Sequence, residues 1–146
     1  MNKCKGWAWM LLALMPVSAI ASDESEAQSS CMENFSVSGS FGSGKTFLAA
    51  QEHEGVSYPV AFRKTVDAIR ADGQTQVSPN EATGYIAAEN PVSGGGGSTV
   101  PLRVTVRRQT DGSIRVEARF TIKGGQMTSK KKVAEGLCKI VNAASL

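Results

Sequence analysis

The feature that most constrains this chain is a period-two alternation near its C-terminal end. Leu102, Val104 and Val106 alternate with Arg103, Thr105 and Arg107. After Thr110-Asp111-Gly112, the apolar Ile114, Val116, Ala118, Phe120 and Ile122 alternate with Arg115, Glu117, Arg119 and Thr121. Successive side chains of a strand point to opposite faces, so this spacing predicts a long antiparallel hairpin with one dry face and one basic face. A dry sheet face must be covered, and the remaining chain has to supply the cover.

Two segments fit that role. Ser57-Tyr58-Pro59 opens a helix with proline near its first position, and Phe62, Val66 and Ile69 recur on one side of it. Asp72-Gly73 stops it. A last helix starts at Thr128 or Ser129 and carries Val133, Leu137, Ile140, Val141 and Ala144 as its apolar stripe. Residues 46–53, 74–78 and 83–88 read as shorter strands, with a turn at Pro79-Asn80-Glu81. Gly94 to Gly97 form a flexible strand connection. The expected fold is α+β: a single antiparallel sheet in the order β-α-β-β-β-β-α, both helices on one face. At 146 residues there is room for one such domain, placed at 45–146.

The first 21 residues read as an export signal. Lys3 and Lys5 precede an apolar run, residues 6–20, and Ala19-Ile20-Ala21 fits a small-x-small cleavage site. The run holds only fifteen residues and contains Pro16, too short to span the ~30 Å of hydrocarbon in a bilayer. A retained anchor is the competing reading; a periplasmic or extracellular protein without a membrane span is the expectation. Residues 22–44, rich in Ser, Gly and acids, are expected to form a flexible N-terminal arm, with at most a short edge strand around Val37.

Cys31 and Cys138 are the two thiols that remain once Cys4 leaves with the signal. In an oxidising compartment they are expected to form one disulfide, free thiols or intermolecular bonds being the alternative. Charge is unevenly spread: residues 22–90 hold four bases against ten acids, residues 91–146 ten bases against three acids.

The run Gly39-Ser-Phe-Gly-Ser-Gly44-Lys45-Thr46 matches the phosphate-cradling pattern of nucleotide-binding proteins. That chemistry needs a helix after Thr46 and a distal apolar strand ending in Asp. Thr46 leads instead into strand-like sequence, so the match is read as chance and no nucleotide or other cofactor is expected. His53 is the single histidine, which excludes a two-histidine metal site, and it is expected at an exposed strand end. No G-x-S-x-G marks a hydrolase nucleophile, and no metal site is expected. Arg103, Arg107, Arg115, Arg119 and Lys123 should project from one face of the hairpin. Lys130, Lys131 and Lys132 open the last helix, where cations oppose the helix dipole. Together these eight residues form a candidate anion-binding surface. Without interleaved aromatics, and in an exported chain, nucleic acid is not the expected partner.

Tyr58-Pro59-Val60-Ala61-Phe62, Gly73 and Ala82-Thr83-Gly84-Tyr85-Ile86 together resemble small envelope proteins of Gram-negative bacteria. The chain is similar in element order to the helix-on-sheet domain of the C component of the outer-membrane barrel-assembly machinery, over about residues 46–144. That resemblance implies the fold above and transfers no catalytic residue. Unlike a lipoprotein, this chain has no cysteine directly after the apolar run. The expected function is that of a non-enzymatic envelope accessory protein acting through protein–protein contact, the partner being an envelope protein or anionic envelope component. A module that binds anions or small ligands on the basic face is the alternative, and a small hydrolase the second.

Overall fold

The structure, a computed structural model, describes residues 22–92 and 96–146. Residues 1–21, expected above to be an export signal, and Gly94 and Gly95 of the expected flexible connection lie outside the described residues. The elements follow in the order α1 (Ser22–Glu33), β1 (Ser36–Ser40), β2 (Gly44–His53), α2 (Tyr58–Ala71), β3 (Thr75–Asn80), β4 (Tyr85–Pro91), β5 (Thr99–Arg108), β6 (Ile114–Ile122) and α3 (Lys130–Asn142). The six strands form one antiparallel sheet in the order β1-β2-β6-β5-β4-β3. The α+β class, the single antiparallel sheet and the α2 and α3 helices are those the sequence pattern predicts.

The β5–β6 hairpin is the centre of this sheet. Leu102 pairs with Phe120, Val104 with Ala118 and Val106 with Val116, which lines the apolar residues of both strands on one face. β2 adds Phe47 and Ala49, and β4 adds Ile86 and Ala88. Against this face α2 lays Ala61, Phe62, Val66 and Ile69, while α3 lays Leu137, Ile140 and Val141. Tyr58 and Pro59 open α2, and Gly73 closes it in the left-handed conformation (φ 82°) while Gln74 donates back to the Ile69 carbonyl. Ser129 caps α3 by accepting from the Lys132 amide at 3.4 Å.

Three expectations are corrected. Residues 22–44 are not a flexible arm, because 22–33 form α1, while the short edge strand expected around Val37 is present as β1. A twelve-residue helix without an apolar stripe is marginal by itself. Tertiary contacts hold it: Cys31 is fully buried and bonded to Cys138 (Cα–Cα 5.7 Å), and Asn142 donates to Gln28. Pro79 and Asn80 do not turn; they end β3, and the turn is 81–84. β3 is an edge strand, where a residue without an N–H is tolerated, and a bulge between Thr75 and Ser78, with Gln76 at φ 49°, disrupts its first half.

The third correction concerns His53. It is buried, with 6% of its surface exposed. Nε2 lies 2.7 Å from the Val141 carbonyl and Nδ1 2.9 Å from the Ser145 hydroxyl. The neutral ring satisfies both, donating from Nε2 and accepting at Nδ1. Burial holds its pKa below the usual histidine value, and the bond to Val141 opposes part of that shift. The C-terminal residues thus close over the end of β2, aided by Lys64, whose ammonium donates to the Leu146 carbonyl.

Candidate functional site

α2 and α3 pack on the apolar side of the sheet and α1 is bonded to α3 at the β2 end, which leaves the opposite face of the central strands without a helix over it. Its central rows follow from the register. Arg103 stands directly across from Arg119, Thr105 from Glu117, and Arg107 from Arg115. On the outer flanks Leu48, Ala50 and Glu52 of β2 adjoin Arg119, Glu117 and Arg115, while Tyr85 and Ala87 of β4 adjoin Thr105 and Arg103.

Like charges directly opposite in a ladder are destabilising, and this face has two such pairs of arginines. Carboxylates relieve most of the repulsion. Glu117 sits between the two rows, 3.8 Å from Arg115 and 3.5 Å from Arg119. Glu52 reaches Arg115 at 3.2 Å, and Glu89 reaches Arg103 at 3.4 Å. Arg103 also donates to the carbonyls of Ala88 and Leu102. These pairs are at least partly exposed, so each contributes about 0–1 kcal/mol, and they position more than they stabilise.

Arg107 and Arg108 are different. Among the described residues neither makes an ion pair with an acid. Arg108 lies over the Tyr58 ring, 4.3 Å from its centroid. Tyr58 is itself fixed, its hydroxyl donating to the Glu81 carbonyl at 2.6 Å. The hairpin end that carries Arg107 and Arg115 is tied down by Asp111, which accepts from the Ser113 amide at 2.9 Å and hydroxyl at 2.7 Å. Those bonds hold the Asp111 carboxyl below the usual carboxylate range. A depression of about 610 Å³ lies over the face, lined by five arginines, one carboxylate (Glu117) and the neutral Tyr85, Thr105 and Gln109. Arg107 and Arg108 also border a second hollow, of about 630 Å³, between the start of α2 and the 81–84 turn, where Glu81 is the acid.

Of the candidate anion-binding residues, the structure brings together Arg103, Arg107, Arg115 and Arg119. Lys123 lies beyond the end of β6, two residues past Thr121, and does not line the depression. Lys130, Lys131 and Lys132 open α3 on the covered side, and Lys132 borders a hollow with Leu102, Phe120 and Ile140. The eight residues therefore do not form one surface. Arg108 was not among them: its place in the alternation assigns it to the dry face, and only the packing of Tyr58 at the strand end explains where it goes.

The phosphate-cradle match has a structural account. Gly39 to Thr46 form the β1–β2 hairpin, Ser40 pairing with Gly44, and Thr46 lies within β2 with its hydroxyl 3.2 Å from that of Thr121. No helix begins there. Glycine is required for backbone approach instead: a Cβ on Gly44 would strike the Ile122 carbonyl and one on Gly124 the Gly42 carbonyl. The Gly125 amide donates to the Phe41 carbonyl at 2.8 Å, fastening the hairpin tip to the loop after β6.

No protein-family model matches the chain, and no curated protein does. Among solved structures the chain is similar to a conserved protein of unknown function, EF2215, from Enterococcus faecalis. The two share 10% identity at a TM-score of 0.51, over 84% of this chain and 81% of that one. At that identity the likeness is one of fold.

Proposed function

We propose that this chain is an exported, non-enzymatic accessory protein of the cell envelope that works by holding a protein partner against its uncovered sheet face. The observation that carries the reading is the division of the sheet, with helices on one face and a braced arginine array on the other. Two further features support it. The chain's one histidine has both ring nitrogens bonded inside the fold, which removes it from general-base chemistry at a surface. The β1 edge is exposed along its whole length and, unlike β3, carries no proline, so an extended partner segment has backbone groups beside it to pair with. The lysine-flanked apolar run at the start supports export.

A photo-crosslinking residue at Tyr85 on the uncovered face should trap an adduct of defined mass in the envelope fraction, and the same residue at Arg63 on α2 should not. Adducts from both sites, or from neither, would remove the reading. A second reading, a module for small anionic ligands, is favoured by the size of the arginine-lined depression.

A further inference from the structure

We infer that Arg107, together with Arg108 and Arg115, forms a carboxylate-binding subsite that takes an acidic segment of the partner. The inference rests on the proposed protein contact at this face and names its chemistry. The face itself shows the recognition pattern. Arg103, Arg115 and Arg119 each meet a carboxylate of their own chain, supplied by Glu89, Glu52 and Glu117. Arg107 continues the pattern directly across from Arg115, and no acid of the described chain reaches it. A carboxylate set beside these two guanidiniums completes the alternation of charge and relieves the remaining arginine–arginine repulsion.

The site is also preorganised. Tyr58 stacks under Arg108, the Asp111 turn fixes the hairpin end, and Arg115 is held from both flanks by Glu52 and Glu117. A guanidinium whose orientation is already set loses less entropy on forming a bidentate bond than a free one. Thr105, Gln109 and Tyr85 line the same depression, with hydroxyl and amide groups that suit a peptide backbone beside the acidic side chain.

A peptide fits better than a membrane surface. Glu52, Glu89 and Glu117 are interleaved with the arginines and would repel a sheet of anionic headgroups, whereas a peptide can place a carboxylate against Arg107 alone. The lysines at the start of α3 have no such interleaving acids on their own turn, and they serve as the internal control.

The experiment uses the exported chain and a fluorescein-labelled hexaglutamate peptide, with hexaglutamine, phosphatidylglycerol vesicles and inorganic phosphate as comparison probes. Hexaglutamate should bind, weaken steeply with salt and bind at least tenfold less tightly to Arg107→Glu/Arg108→Glu, whose thermal midpoint should match the parent. Arg107→Lys/Arg108→Lys should fall in between, because lysine keeps the charge and loses the fork. Lys130→Glu/Lys131→Glu/Lys132→Glu should bind within twofold of the parent. The inference is overturned if the arginine variant binds hexaglutamate as the parent does, or if the lysine variant loses as much. It is overturned equally if only vesicles, or only phosphate, show the arginine-dependent loss. Adducts from Tyr85 alongside unaltered hexaglutamate binding by the arginine variant would sink this inference and leave the protein-contact reading standing. The converse, an arginine-dependent peptide site without adducts, would sink that reading and keep the carboxylate site.

Discussion

On the covered face of the sheet, cohesion comes from shape. Phe47 stacks with Phe35 at 6.2 Å and meets Phe120 at 6.1 Å, and the disulfide draws α1 onto α3 beneath them. On the uncovered face the same strands carry side chains that meet mainly through charge, at 3.2–3.8 Å, in contact with water. The covered face therefore holds most of the free energy of folding, since burial stabilises by roughly 25 cal/mol per Å² of apolar area while exposed ion pairs contribute little. The uncovered face holds little and is free to be used. Changes on the two faces should separate cleanly into losses of stability and losses of binding.

The largest effect should come from the disulfide. Its closure spans 107 residues. The chain-entropy model assigns such a loop about 4–5 kcal/mol, an upper figure. Cys31→Ser/Cys138→Ser should lower the unfolding midpoint markedly, retain the sheet by circular dichroism and speed amide exchange in α1 before any strand. Alkylation of Cys31 and Cys138 without reductant in the protein isolated from its cells would show that the bond does not form there, and the separation of α1 from the rest would then be lost.

Phe47→Ala should cost about 3–5 kcal/mol, read from denaturant midpoints, because it empties the junction of three aromatic rings. Thr105→Ala, on the other face of the neighbouring hairpin, should stay within about 0.5 kcal/mol. Equal losses from the two would erase the contrast between the faces.

The pH dependence sharpens the same contrast. His53 has a folded pKa below its ordinary value, so the unfolded chain takes up a proton before the folded one does. The His53 contribution is fully present above the ordinary value of about 6.5 and is lost progressively as pH falls through that value toward the lower folded pKa. Urea unfolding at a series of pH values from 8 to 5 should show the decline, and His53→Gln should flatten it. An unchanged slope in that variant would mean the histidine is not held neutral between Val141 and Ser145.

The smallest effect belongs to the lysines. Lys131 pairs with Glu135 at 3.9 Å with both side chains well exposed, and all three cations oppose the α3 dipole. Lys130→Glu/Lys131→Glu/Lys132→Glu should leave stability unchanged or raise it by a few tenths of a kcal/mol to about 1 kcal/mol at low salt, the gain shrinking as salt is added. A clear loss of stability would mean these lysines contribute to the covered face after all.

The parts of this architecture legible in the sequence are those with a repeating signal. The β5–β6 alternation fixes which residues share a face, because the side-chain period of a strand admits no other solution once one face is dry. The α2 and α3 stripes are legible for the same reason at the helical period, and so is the chemistry of the uncovered face at Arg103, Arg107, Arg115 and Arg119. What escaped has no period. α1 carries no apolar stripe and is held by the Cys31–Cys138 bond and by the hydrogen bonds that Ser30 donates to Gln51 and Asn142 donates to Gln28. His53 is buried against Val141 and Ser145, 88 and 92 positions away in the chain.

Sequence alone therefore determined the sheet's two-sided character and the identity of α2 and α3, two of the helices that cover it. Only the tertiary structure decided that the lysines of α3 and the arginines of the sheet lie on opposite sides, and that Arg108 joins Arg107. It also decided which arginines already have a carboxylate. Local pattern reports the face on which a side chain leaves its own backbone. Where that face points, and what stands opposite it, depends on chain closure between segments far apart in sequence, and no spacing within either segment encodes it.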